Sequence, residues 1–196
     1  MPRFLLTVCF MLMASGCGGP RYVDYFPYHD DGSAKPRIAF VGVIDISDSQ
    51  YGNLSEEFAQ GVRYWSMHNG ILYLLSEREI NPDLRKSGNI NLFCSDLSFV
   101  KKFAPADFVV GLELIEYQTQ PSCQAHPGKL LLTIKLRIKI IDIREEQPYV
   151  ILQEIIKSKH VIAGEEEHTV DVYRLANQRL ICEIVRRIED VTCIAR

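Results

Sequence analysis

Hydrophobic and polar residues alternate most regularly between Leu130 and Ile143. Leu132, Ile134, Leu136, Ile138 and Ile140 fall on one side of a period-two pattern, and Thr133, Lys135, Arg137 and Lys139 on the other. Successive strand side chains point to opposite faces, so the segment predicts a long antiparallel strand with one buried and one solvated face. A turn over Glu145 to Pro148 sends the chain back through a second strand, Tyr149 to Lys159. Three shorter apolar runs, Ile38 to Ile44, Ile71 to Leu75 and Phe108 to Ile115, read as buried strands. The polar stretch 117–129, with two prolines and a glycine, reads as a loop.

Other segments repeat at helical spacing. Phe58, Val62 and Trp65 give a buried stripe to a helix from about Ser55 to His68. Ser55 is its expected cap, Glu56 and Glu57 fill its first turn, and Asn69-Gly70 stops it. Gly61 inside it is expected to allow close approach to the sheet. A shorter helix, about Ser95 to Phe103, turns Leu97, Val100 and Phe103 inward and ends at Ala104-Pro105-Ala106-Asp107. The mostly polar stretch before it, 76–94, reads as a loop with a helical turn near Pro82 to Arg85. A closing helix from about Val170 to Val191 carries Val172, Leu175, Ala176, Leu180, Ile184, Ile188 and Val191 at helical intervals. The order β-α-β-(α)-β-β-β-α predicts an α/β (α+β) fold. It is a two-layer sandwich, a mixed sheet of about five strands with helices packed on one face. The first strand–helix–strand unit is expected to be right-handed if its strands are parallel.

The first seventeen residues follow a different rule. Arg3 precedes a run from Phe4 to Ala14 that is apolar except for Thr7, and Ser15-Gly16-Cys17 closes it. This is the form of a secretion signal, and the run is shorter than the roughly 20 residues a membrane-spanning helix needs. Ala14-Ser15-Gly16-Cys17 is similar to a bacterial lipobox. Small residues fit the signal peptidase, and the Cys17 thiol is the expected lipid attachment point. An ordinary signal peptide that contains a cysteine is the plainer alternative. The expected organisation is a signal peptide over 1–16, a lipidated N-terminus and tether over 17–36, and one α/β domain over 37–196. Gly18 rather than aspartate after the cysteine favours the outer membrane, by similarity to the enterobacterial sorting pattern. The tether spans at most roughly 60 Å when extended. Its aromatics Tyr22, Tyr25, Phe26 and Tyr28 either pack back on the domain or form a docking segment.

Charge and cysteines narrow the picture. The 196-residue chain has a formal charge of -3, and losing Arg3 with the signal leaves -4, which argues against nucleic acid as the main partner. Of six cysteines, Cys9 leaves with the signal and Cys17 takes the lipid. Cys94, Cys123, Cys182 and Cys193 remain, with three possible pairings or none. A Cys182–Cys193 bridge requires the last helix to end before Cys193, because eleven helical residues separate them by about 16 Å.

No phosphate loop, HExxH, GxSxG or CxxC occurs. The five histidines are scattered; an approach of His160 to His168 is the sharper reading, and surface histidines are far commoner than a two-ligand metal site. Glu165-Glu166-Glu167 suits the positive end of the last helix better than a calcium site. No catalytic residue, metal site or cofactor is expected, and the protein reads as non-enzymatic. One charge pattern stands out: Lys135, Arg137 and Lys139 on one strand, with Lys157 and Lys159 on its neighbour. A solvated sheet face accounts for them. The sharper reading is a basic partner surface for an acidic protein, lipid headgroups or an anionic glycan. The sequence leaves open the register, which decides whether the two sets share a face.

The opening strand IAFVGV, the helix, the segment Leu74-Leu75-Ser76-Glu77-Arg78 and the motif Ala106-Asp107-Phe108-Val109-Val110-Gly111 together resemble a known group. It comprises the periplasmic lipoproteins related to the activator of penicillin-binding proteins, the curli-secretion lipoproteins and the amino-terminal domain of the Tol translocation protein. Pro105 stands where that group has a glycine, and one residue fewer precedes Gly111. The whole chain is also similar to chlamydial lipoproteins without an assigned role. The resemblance implies a lipid-anchored envelope protein, facing the periplasm from the outer membrane, whose domain binds a protein or envelope component. A structural subunit of an outer-membrane secretion or transport assembly is the alternative. The partner's identity and the oligomeric state are left open.

Overall fold

The computed structural model describes residues 26–49, 51–76, 78–80, 90–94, 96–122, 129–162 and 166–195, without the side chains of 166–170. Five strands form one sheet: β1 (Arg37–Asp45), β2 (Tyr73–Leu74), β3 (Phe108–Pro121), β4 (Leu130–Asp142) and β5 (Tyr149–Ile162), in the order β2-β1-β3-β4-β5. β1 runs parallel to β2 and β3, and β3-β4-β5 form an antiparallel meander. The mixed sheet and its helices make the α+β sandwich that the pattern predicts.

Two long helices, α1 (Leu54–Asn69) and α2 (Glu166–Ile194), cover one face. The β4 positions Leu132, Ile134, Leu136, Ile138 and Ile140 all point into that core and are fully buried. Phe58 and Val62 of α1 and Leu180, Ile184 and Ile188 of α2 meet them there. The cap of α1 is Asn53, not Ser55: the Asn53 carboxamide oxygen accepts from the Glu56 backbone N–H at 3.4 Å, and Ser55 Oγ donates to the same oxygen. An Asx side chain two residues earlier therefore takes the capping role. Gly70 ends α1 in the left-handed conformation, as expected. Gly61 does allow a close approach, but to α2 rather than to the sheet: a Cβ there would collide with the Ile181 side chain.

The other sheet face is covered over one end. A short 3₁₀ helix (Ser98–Phe103) and the segment around Leu92 form a second apolar cluster with Ala39, Val109, Ile141 and Ile143. Gly111 lets this layer settle, since a Cβ there would meet Leu92 Cδ1 at 2.7 Å. Three boundaries move outward. β3 continues through Tyr117 to Pro121, where a loop was expected, because β4 pairs with it along its whole length. β5 reaches Ile162, and α2 begins at Glu166 and runs to Ile194. Cys182 and Cys193 thus share one continuous helix and do not bridge each other. Cys94 and Cys182 are exposed and carry no disulfide. The signal, Cys17, Tyr22, Tyr25, the turn near Pro82 to Arg85, Cys123 and the His168 side chain lie outside the described residues.

Candidate functional site: the outer sheet face and the β5 edge

The ladder settles the register that the sequence left open. Lys135 stands beside Lys157, Thr133 beside Lys159, Arg137 beside Ile155 and Lys139 beside Gln153. Both basic sets therefore share the face opposite the long helices. β3 supplies the third column, with Glu113 beside Arg137 and Glu116 beside Lys135.

The five cations differ in exposure. Lys139 is buried, 5% exposed, and its Nζ donates to the Leu92 carbonyl at 2.7 Å. Burial pulls its ammonium below the ordinary lysine value. This corrects the expectation that all three β4 cations are solvated: the layer around Leu92 closes over that end. Arg137 pairs with Glu113 and lies over the Phe93 ring at 4.7 Å. Lys135 pairs with Glu116, whose carboxyl is held below the usual range by hydrogen bonds from Lys135 and Gln118. Lys157 and Lys159 on β5 are exposed. The exposed cations of this face are therefore Lys157 and Lys159, with the half-buried Lys135 beside Lys157. Sequence reasoning missed Glu113 and Glu116. Their signal was present as two acids in the neighbouring apolar strand, but a register shift between Leu114 and Glu116 hides which cation each one meets.

β5 is an edge strand of 14 residues. Beside it, on the helix side, a groove of about 480 Å³ runs along α2, lined by Glu154, Ser158, His160, Arg179, Glu183 and Arg187 among others. Ser158 Oγ and His160 Nε2 lie 2.6 Å apart. Burial and the Arg179 charge push the imidazole below its ordinary pKa. Among the described residues no carboxylate hydrogen-bonds this imidazole, as the third group of a nucleophilic triad would. No cluster of three or more His, Cys, Asp or Glu suited to a metal occurs among the described residues. No described helix is long and apolar enough to cross a membrane. Phe26 and Tyr28, midway along the expected tether, do not pack away into the core; they are 59% and 60% exposed, and Tyr28 bridges Ala34 within the same segment.

The chain belongs to a family of unknown function, DUF7499, whose model matches residues 24–196. No curated protein matches it. Among solved structures it is similar to the hypothetical protein CT253 from Chlamydia trachomatis, with a TM-score of 0.63, 22% identity, and coverage of 82% of this chain and 99% of that one. That likeness establishes a shared fold. Weaker likenesses include the lipoprotein GNA1162 from Neisseria meningitidis, with a TM-score of 0.48 and 11% identity over 79% of this chain and 99% of that one. Another is the LpoB C-terminal domain from Salmonella enterica, with a TM-score of 0.40 and 12% identity over 68% and 87%.

Proposed function

We propose that this is a lipid-anchored protein of the bacterial envelope whose domain works by binding rather than catalysis. The anchor is Cys17, the membrane is the outer one, and the domain faces the periplasm. Support comes from the apolar signal closed by Ala14-Ser15-Gly16-Cys17. The observation that carries the binding role is the register of the outer face. Lys135, Lys157 and Lys159 form a cluster that Glu116 only partly neutralises, on a chain whose net charge is negative. Such a patch concentrates an acidic partner, either an envelope protein or an anionic glycan. Labelled palmitate should enter the wild-type protein and not a Cys17→Ala variant. Native-envelope cross-linking from the Lys157 region should trap a partner, and high salt present during the reaction should prevent that capture. Equal labelling of both proteins rejects the anchor, and salt-indifferent capture rejects the patch.

A second reading rests on the unpaired outer side of β5, which is long enough to pair with another strand. In that case the chain is a subunit of an envelope assembly. Sedimentation of the detergent-solubilised chain separates the two readings, since a closed ring would replace the monomer.

A further inference from the structure

The strand directions and helix ends gather one set of segments at one end of the molecule. β1 and β3 begin there, β4 ends there, β5 begins there, and both long helices finish there. Contacts tie these ends together. The Arg37 side chain bonds Asp107 at 2.7 Å, Asn69 of α1 donates to Glu189 of α2 at 2.9 Å, and Arg144 reaches the Ala195 carbonyl at 2.6 Å. The tether enters at the same end: the Lys35 backbone N–H bonds the Pro27 carbonyl, and Tyr28 lies close enough to Arg37 to act on its charge.

Exposed apolar side chains concentrate on this rim. Thirteen large hydrophobic residues are exposed among the described residues. Phe26 and Tyr28 of the tether end, Met67 near the end of α1, Ile71 before β2, Tyr149 at the start of β5 and Ile194 at the end of α2 are all at the rim, and Val150 adjoins them. Ile194 is 83% exposed. Scattered single hydrophobes are normal on a protein surface, whereas a concentration at one end marks a contact. Its charges are not collectively basic. Arg37 and Arg144 are paired with Asp107 and Asp142, and Glu145 and Glu146 are exposed on the adjoining turn. The composition, with three aromatics among aliphatic residues and no cationic excess, suits the interface of a lipid bilayer, where amphipathic rings sit at headgroup level.

We infer that the tether end of the domain is a membrane-contacting face that rests on the surface of neutral phospholipid. The inference deepens the proposed anchoring at Cys17 and rests on it. From Cys17 to Phe26 is nine residues, at most about 32 Å of chain, and the chain joins the domain at the apolar rim itself. The anchor therefore delivers this end, and not the opposite one, to the bilayer. The outer sheet face and the β5 edge then stand upright from the membrane and remain open to a partner.

The test uses the full lipidated chain in phosphatidylcholine vesicles that contain brominated lipid. Trp65 is the only tryptophan, so a Trp65→Phe background gives a silent protein. Ile194→Trp then reports from the rim, and Ile46→Trp reports from just beyond the far end of β1, about 30 Å along the strand. Circular dichroism confirms that each variant is folded, and Tyr28→Trp is the substitute rim reporter if Ile194→Trp is not. The expected result is flotation with the vesicles, several-fold stronger bromine quenching at the rim reporter than at Ile46→Trp, and no loss of that contrast in high salt. Flotation with equal quenching at both positions, or with none at the rim, overturns the face and leaves the anchor standing. Failure to float rejects the anchor, and the face falls with it.

Discussion

Leu136 sits at the middle of the β4 apolar row and is fully buried. Leu136→Ala leaves a cavity under both long helices and should cost about 2–5 kcal/mol in a denaturant melt. A loss below about 1 kcal/mol, well under that range, would mean the core relaxes around it. One residue along, Arg137 behaves differently from what alternation alone implies. A solvated-face residue usually changes stability by no more than about 0.5 kcal/mol. Here its guanidinium pairs with Glu113, which is 5% exposed, and lies over Phe93. Arg137→Glu puts a second carboxylate against the buried one and strips it of its donor. It should therefore cost about 1–3 kcal/mol, as for other unsatisfied buried groups. A melt unchanged by the substitution would show that Glu113 finds another donor. Because this variant disturbs the fold, Lys157 and Lys159 are the better positions for probing the surface.

At the scale of the element, β5 and α2 meet around His160. Burial and Arg179 hold its imidazole below the ordinary value of 6.5. The folded chain then binds fewer protons at this site than the unfolded chain does, between the folded pKa and about 6.5. Stability is retained above that window and falls as pH drops through it. His160→Gln should flatten this part of the stability–pH curve, measured as the difference from wild type; parallel curves would show that the groove hydrates and relaxes on protonation. The same pair of elements shows what could be read beforehand. Alternation from Leu132 to Ile140 fixed the inward face of β4, since period two leaves no other choice. Helical spacing from Val172 to Val191 identified α2, but its first turn has no apolar stripe to mark it, and its start was placed four residues late. Tyr117 to Pro121 looked like loop because Gln118, Thr119 and Gln120 are polar; pairing with β4, a long-range property, holds them in the strand. The burial of Lys139 was illegible for a similar reason. Its cover comes from Leu92, 47 residues away, in a segment whose polar composition gives no sign of packing on the sheet.

For the whole molecule, the proposed membrane-facing end and the proposed partner surface are separate in space. The apolar rim and tether lie at one end, while the cluster of Lys135, Lys157 and Lys159 lies on the outer face toward the other. If attachment and partner capture are independent, each should fail without the other. The double variant Lys157→Glu/Lys159→Glu replaces two exposed side chains and should leave stability within about 0.5 kcal/mol for each. It should float with membranes as wild type does and lose most capture of the acidic partner. The wild-type interaction should itself weaken as salt rises, because charges on an exposed face are screened beyond about 8–10 Å. Cys17→Ala should do the reverse, losing membrane attachment while the folded chain still captures the partner in solution. Co-flotation and pull-down on the same four samples, wild type, the lysine double variant, the cysteine variant and their combination, read both properties together. Loss of capture in the Cys17→Ala protein would show that the partner surface includes the membrane. Full capture by the lysine double variant would show that the partner docks outside the lysine cluster.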